Sequence, residues 1–356
     1  MNNDTKMALY EICNKYNDVF IVDMFNYIFK YYFANKGLSV IKDGNEIPTG
    51  HLFGITRQML FLKDKFPNCA IIFAVDGYDP SRREINEDYK ADRVHEIEPK
   101  DYVSDILRFC SLIDGVYSCY DAHYEADDVI GSISTTVKSL CEKNKINKNV
   151  YILSSDRDMY QLISDSGYCK IRSIKKFGYG NEWYKDTEFI DESKVREAFN
   201  DVEPKNLLKF RAITGDSSDN LKGYFRFRKA NASIIATNFD YDKDGHKLSL
   251  KNGVPMRESW KKPLATILED FSIFEKNYAI MKLKMFDFEI LSIYKGLCDP
   301  DVDDILKDLY FYELNMYIHS VSMYSPYKSR IDAYNESMSN IENAVDTIKE
   351  DLASLL

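Results

Sequence analysis

Cys69-Ala-Ile-Ile-Phe-Ala-Val-Asp76 is an unbroken apolar run that ends on an aspartate. A half-exposed strand alternates apolar and polar residues; a continuous run suits a strand buried on both faces of a parallel sheet. Two further runs share this form. Val19-Phe-Ile-Val22 stops at Asp23, and Val150-Tyr-Ile-Leu153 is followed by two serines and Asp156. Helical patterns lie between them, over residues 54–65, 102–113 and 126–141, and a helix-compatible lead runs from Met7 to Tyr16. Strands alternating with helices predict an α/β fold, with a mainly parallel central sheet flanked by helices. Ligands of such sheets bind outside the carboxyl ends of the strands, where all three runs release an acid.

From about Glu203 the pattern turns helical. Residues 240–262, rich in Asp, Lys and Gly, predict a long loop, and the remainder to Leu356 reads as helices. The chain has 356 residues, 45% of them hydrophobic and 14% aromatic, enough to build a sizeable core and too apolar for whole-chain disorder. No apolar run approaches the ~20 residues of a membrane span, and the first residues lack a signal-peptide pattern, so a cytoplasmic protein with no membrane partner is expected. Seven scattered cysteines without C-x-x-C spacing read as reduced core residues. The 57 acids outnumber the 47 bases, for a net charge of -10, which makes the placement of the acids the main clue.

Acids cluster in Tyr124-Glu-Ala-Asp-Asp-Val129, Ser155-Asp-Arg-Asp158 and Thr214-Gly-Asp-Ser-Ser-Asp-Asn220. With the strand ends they make nine candidate ligands: Asp23, Asp76, Glu125, Asp127, Asp128, Asp156, Asp158, Asp216 and Asp219. Any single one is explained by a cap or turn, and acids at a helix start also complement its dipole. Five separated segments each placing acids beside a strand or helix end are not explained that way. Carboxylates gathered at one sheet edge repel unless cations neutralise them. Oxygen donors without paired His or Cys favour Mg²⁺, with Mn²⁺ able to substitute. Two such ions ~4 Å apart are an apparatus for phosphodiester hydrolysis.

In these motifs the chain resembles the metal-dependent 5′ nucleases: the 5′→3′ exonuclease domain of bacterial DNA polymerase I, the phage 5′-exonucleases and RNase H-type enzymes, and flap endonucleases. The carrying residues are Val22-Asp23, Phe73-Ala-Val-Asp76, Arg82 with Tyr89-Lys-Ala-Asp-Arg93, Tyr124-Glu-Ala-Asp-Asp-Val-Ile130, Ser154-Ser-Asp-Arg-Asp-Met-Tyr-Gln-Leu162 and Thr214-Gly-Asp-Ser-Ser-Asp-Asn-Leu221, in the family's order over roughly residues 19–235. The resemblance implies a PIN-like catalytic region over 1–200 with an arch at 79–100. A helical DNA-binding region over 201–300 follows, and the residue pattern adds a helical extension over 301–356, where the resemblance is only loose. The resemblance divides the acids between a first metal position (Asp23, Asp76, Glu125, Asp127, Asp128) and a second (Asp156, Asp158, Asp216, Asp219), with Asp127 the best placed to reach both.

Positive charge comes from Arg82, Arg83, Lys90 and Arg93. Lys90 and Arg93 are three apart and so share one face of a helix. Similar family positions lie on the arch and clamp the scissile phosphate, which implies that Lys90 and Arg93 stabilise transition-state charge beside Asp76 and Asp127. The bland reading is a solvated helix face. Tyr89 and the two arginines are candidate nucleic-acid contacts. Phe29 stands where the family often stacks a tyrosine on a base, and Lys30 could meet a phosphate; a core phenylalanine is the alternative. The family's helix–hairpin–helix glycines are replaced in Gly223-Tyr-Phe-Arg-Phe-Arg-Lys-Ala230, so that binding would pass to Arg226, Arg228 and Lys229, and an associated monovalent-cation site is in doubt. A merely basic surface loop is the alternative here.

Asp240-Tyr-Asp-Lys-Asp-Gly245 imitates an EF-hand start, but Lys251 stands where a Glu is required, so a turn is expected. Ile331, Tyr334, Met338, Ile341, Val345, Ile348, Leu352 and Leu355 form an a/d stripe, suited to self-association, to a replication-protein partner, or to packing on the catalytic body. The expected activity is two-metal hydrolysis at or near the 5′ ends of flaps, nicked or branched DNA, or RNA–DNA primer junctions, leaving 5′-phosphates, in replication or repair. A PIN-type endoribonuclease and a catalytically silent branched-DNA scaffold are the alternatives.

Overall fold

The computed structural model describes residues 3–92, 96–178, 182–286, 290–292 and 301–354. The chain opens with α1 (Asn3–Lys15), β1 (Asp18–Asp23), α2 (Met24–Ala34), a hairpin β2 (Ser39–Lys42) and β3 (Asn45–Pro48), α3 (Gly50–Lys65) and β4 (Cys69–Val75). It continues with α4 (Ser81–Ile85), α5 (Lys100–Cys110), β5 (Val116–Tyr120), α6 (Ala126–Asn144), β6 (Lys148–Leu153), β7 (Cys169–Lys176), α7 (Trp183–Asp186), β8 (Glu188–Ile190) and α8 (Glu192–Ala198). Then come α9 (Pro204–Thr214), the short hairpin β9 (Gly215–Asp216) and β10 (Leu221–Lys222), α10 (Lys229–Asn238), β11 (Phe239–Asp242), β12 (Lys247–Leu250), α11 (Glu258–Glu269) and α12 (Phe271–Met281). Helices also cover Val302–Phe311, Ile318–Met323 and Lys328–Ser354. Two compact units share this chain: residues 1–23, 74–97 and 119–289 form one, and 24–73, 98–118 and 290–356 the other.

In the first unit β1 pairs with β6 and β6 with β7, both in parallel, and β8 closes antiparallel on β7. Val22 stands opposite Leu153, so Asp23 and the Ser154–Asp156 segment leave the sheet at one end. Val19, Phe20, Ile21 and Val22 are fully buried, as are Val150, Ile152 and Leu153. Helix α6 buries Val129, Ile130, Ile133, Val137 and Cys141, one stripe at helical spacing. A second core, around Leu207, Phe210, Ile213, Ile235, Phe239 and Phe274, holds α9, α10 and α12.

The stretch 240–262 is not one long loop. Residues 239–250 form the antiparallel hairpin β11–β12, with Asp242 opposite Lys247, and α11 begins at Glu258. Its turn is closed by Asp242 Oδ1, which accepts the Gly245 N–H at 3.0 Å. Phe239 and Leu248 supply a buried face that the turn residues masked in the sequence.

In the second unit α2 lies against α3, where Tyr31 donates to Gln58 Oε1 at 2.8 Å. Arg108 on α5 ion-pairs with Asp304 and Asp308. The last helix starts as part of this core: Ile331 is fully buried, and the helix packs with the 302–311 and 318–323 helices. Its stripe then emerges, and Ile341 is 52% exposed. The side chains of Val345, Ile348 and Leu352, and Leu355 altogether, lie outside the described residues, as does Cys298. The other six cysteines are buried free thiols. Among the described residues no helix is long and apolar enough to cross a membrane.

Candidate metal centre

The site is built at strand ends of the first unit. Asp23 closes β1, and its Oδ2 accepts the Ser154 hydroxyl at 2.8 Å. Ser154 Oγ in turn accepts the Asp156 N–H, and Asp156 Oδ1 caps the following 3₁₀ turn through the Asp158 N–H at 2.7 Å. Asp76 follows β4, and its Oδ1 accepts the Ala126 N–H at 3.0 Å, tying it to the first turn of α6. That turn carries Glu125, Asp127 and Asp128. Gly77 makes the approach feasible: a Cβ there would stand 2.0 Å from the Asp121 carbonyl oxygen.

The second-position acids converge most tightly. Asp158, Asp216 and Asp219 each offer an oxygen, and the three oxygens lie within 4.8 Å of one another. Gly215 makes the sharp exit from α9 with φ +74°, which brings Asp216 into place. Asp216 Oδ1 accepts the Ser218 N–H and hydroxyl, at 2.9 and 2.7 Å. Arg211, buried on α9, lies 3.1 Å from Asp158 Oδ1 and ion-pairs with Asp216 Oδ2. Asp158 Oδ1 is nonetheless buried without a hydrogen bond.

Charge repulsion links the two sets. Burial and then the Asp23 charge push Asp76 up to about 7. Burial pushes Asp158 up to about 7 against the pull of Arg211, with Asp156, Asp219 and Asp216 adding to the rise. Asp127 is held well above the carboxylate range by burial and by Asp156. Glu125 is the exception: burial would raise it, but Lys90 and Arg82 outweigh that and hold it low. Among the described residues only the Asp158–Asp216–Asp219 trio brings ligand oxygens so close; the first-position acids are more widely set.

Several expected roles change. Arg82 is no nucleic-acid contact: it is 2% exposed and wedged among Asp128 (2.7 Å), Glu125 (2.9 Å) and Asp79 (3.7 Å). Its Nε donates to the Ile280 carbonyl at 2.9 Å. Asp128 is fully buried as Arg82's counter-ion and also accepts the Lys284 N–H at 2.7 Å. Tyr89 is buried against Leu221, Ile280 and Met281, with its hydroxyl donated to Glu125 Oε2 at 3.2 Å, which leaves no ring face for a base. Lys90 is not on a helix. Helix α4 ends at Ile85, and Lys90 sits in a turn with φ +54°, its N–H reaching the Asp219 carbonyl at 3.4 Å. Its ammonium meets Glu125 at 2.8 Å. Arg93 lies outside the described residues, and Arg83 is exposed.

Phe29 and Lys30 belong to the second unit. Phe29 stacks on Phe33 at 6.5 Å, and the Lys30 ammonium lies 4.7 Å from the Tyr27 ring centre. Arg226 and Arg228 are exposed between β10 and α10, and the exposed Lys229 opens α10. Arg211, Lys284 and Ser154 are functional neighbours that sequence reasoning missed. Arg211 had a faint signal, a cation little more than one helical turn before Asp216. Lys284, whose ammonium meets Asp79, had none.

The donor set is oxygen only and exceeds the cations that touch it (Arg82, Lys90 and Arg211). Burial and repulsion from neighbouring acids raise the pKa of Asp76, Asp127 and Asp158. That fits divalent cations with a preference for carboxylates.

Residues 18–200 match the family model described as 5'-3' exonuclease, N-terminal resolvase-like domain. The chain is 27% identical over 209 residues to DNA polymerase I of Synechocystis sp., which covers 57% of this chain and 20% of that protein. It is 26% identical over 214 residues to the 5'-3' exonuclease of Bacillus subtilis, with 58% and 65% covered. The chain therefore spans a fifth of the polymerase and just under two thirds of the exonuclease. The crystal structure of T5 D15 protein with metal ions matches 84% of this chain and 98% of its own, with TM-score 0.51 and 17% identity, a shared fold. By that match over residues 18–200, the chain belongs to the 5'-3' exonuclease family.

Proposed function

We propose that this chain is a divalent-cation-dependent nuclease that hydrolyses phosphodiester bonds at or near 5′ ends of flaps, nicked or branched DNA and RNA–DNA primer junctions. The observation that carries the reading is the convergence of Asp158, Asp216 and Asp219 within 4.8 Å, electrostatically coupled to Asp156, Asp127, Asp23 and Asp76. Asp158, Asp216 and Asp219 would hold one ion, with Asp156 beside them. Asp23, Asp76, Glu125 and Asp127 would hold another. Mg²⁺ is the expected ion and Mn²⁺ a substitute. Divalent cations at such a site supply water activation at neutral pH and charge neutralisation at phosphorus.

The chain's own residues supply the rest. Lys90 holds its ammonium over Glu125, at the edge of the acid cluster, where an incoming phosphate can take over as its partner and draw on its charge. Arg82 keeps Glu125 ionised and fixed through a buried ion pair. Ser154 orients Asp23, and the Ala126 N–H orients Asp76. Residues 201–300 would bind duplex through Arg226, Arg228 and Lys229, and the terminal stripe would engage a second copy or a replication protein. A cytoplasmic role in primer or flap removal follows from this reading.

The test is end-labelled flap DNA, RNA–DNA hybrid and single-stranded RNA, each with Mg²⁺ or EDTA. Mg²⁺-dependent release of 5′ fragments from flap or hybrid supports the proposal. Cleavage of single-stranded RNA alone favours a PIN-type endoribonuclease, and flap binding without cleavage favours a scaffold.

A further inference from the structure

Phe225 is 85% exposed, more than any other large hydrophobic side chain given an exposure in the described residues. Its exposure is imposed by its neighbours. Tyr224 is anchored by its hydroxyl to the carbonyls of Ile267 and Asp270, at 3.1 and 2.7 Å. Phe227 packs on the helical core, and its N–H closes a tight turn on the Tyr224 carbonyl at 3.2 Å. The two residues between are thereby presented outward. Arg226 takes φ +54°, a conformation costly for a residue with a Cβ, and lays its guanidinium 4.9 Å from the centre of the Phe225 ring. Residues 222–229 hold Lys222, Arg226, Arg228 and Lys229, all exposed, and no acid, in a chain of net charge -10.

A lone exposed phenylalanine means little. One at the tip of a pinned turn, in a segment that carries four exposed cations and no acid, is matched to a polyanion that also offers flat apolar faces. We propose that Phe225 is a nucleic-acid contact, packing on a base or sugar face while Arg226, Arg228 and Lys229 hold the flanking phosphates. This rests on the reading that the chain acts on nucleic acid. It deepens that reading by adding an apolar, salt-independent contact to an otherwise ionic surface. Side chains of this kind act as wedges in duplex grooves or as stacking platforms for single strands.

The experiment measures binding of flap DNA, plain duplex and single-stranded DNA in Ca²⁺ by anisotropy across a salt series, for wild type, F225A and R228A. It adds the emission of F225W, above the background of Trp183 and Trp260, as flap DNA is titrated. F225A is expected to weaken binding about 5- to 150-fold with an unchanged salt slope. R228A should lower the slope by about one. F225W emission should be quenched on saturation. The DNA form on which F225A loses affinity separates the groove wedge from the stacking platform. If wild type binds and cleaves flap DNA while F225A binds equally well and F225W emission is unchanged, the Phe225 contact is overturned and the nuclease reading stands. If wild type neither binds nor cleaves any DNA, both fall together.

Discussion

Asp76→Asn should make the ion-free protein more stable while abolishing cleavage. Asp76 faces Asp23 and Glu125, and burial with the Asp23 charge moves its pKa from 3.8 to about 7. Ionising such a group in the folded chain costs about 4 kcal/mol. Asparagine removes the charge and keeps an oxygen to accept the Ala126 N–H. With partial relaxation of the neighbouring acids, the variant should gain about 2–4 kcal/mol at pH 8 in EDTA. The sign follows from the folded pKa lying above the unfolded one. Below pH 4 the acid is protonated in both states and the variants match. Between pH 4 and 7 the wild type loses stability as the unfolded chain releases the proton, and above pH 7 the gap is constant. Urea unfolding from pH 4 to 8.5 measures this. Saturating Mg²⁺ should shrink or reverse the gap, because ion binding stabilises only the chain that retains its ligands. A variant that is less stable than wild type at pH 8 in EDTA, or a gap that does not vary with pH, would refute the electrostatic reasoning.

Lys90→Ala should lower kcat by about 10²- to 10³-fold with KM changed far less, since its charge is spent on the transition state; an unchanged kcat removes Lys90 from the chemistry. Arg211→Ala leaves Asp158 and Asp216 without their buried counter-ion and should cost about 3–5 kcal/mol in EDTA, part of it regained on adding Mn²⁺, which chemical denaturation with and without the ion will report. Gly77→Ala drives a Cβ into the Asp121 carbonyl and should cost several kcal/mol and most activity, whereas Gly37→Ala, with nothing within 4 Å, should retain both. Mn²⁺ affinity should climb with pH up to about 7, as Asp76 and Asp158 give up protons to the incoming charge, and level off above it; flat affinity from pH 5 to 8 would contradict the raised pKa values.

How much of this was readable in advance depended on whether the signal was local. The run Cys69–Val75 is the observed β4, residue for residue, because a strand buried on both faces must be continuously apolar. Asp23, Asp76 and Glu125 were legible as strand-end and helix-start acids for the same reason. Their internal counter-ions were not. Arg82 and Asp128 are 46 residues apart, and Lys284 and Asp128 are 156 apart, so nothing in the chain marks which arginine is exposed and which is enclosed by carboxylates. Lys90 misled in another way. Its three-residue spacing from Arg93 suggests a helix face, but contacts made far along the chain hold it in a turn: its own N–H on Asp219, and Asn220 Nδ2 on the Asp88 carbonyl at 3.1 Å. The β11–β12 hairpin was hidden by a turn so polar that it passed for the whole segment.

The central claim is that carboxylates from distant segments form a divalent-cation centre. Calorimetric titration of Mn²⁺ into the ion-free chain at pH 7.5 tests it directly, for wild type and for Asp158→Asn. The account predicts two bound ions per chain, with one lost in the variant. Absence of saturable binding in wild type, or an unaltered stoichiometry and affinity in the variant, would contradict it.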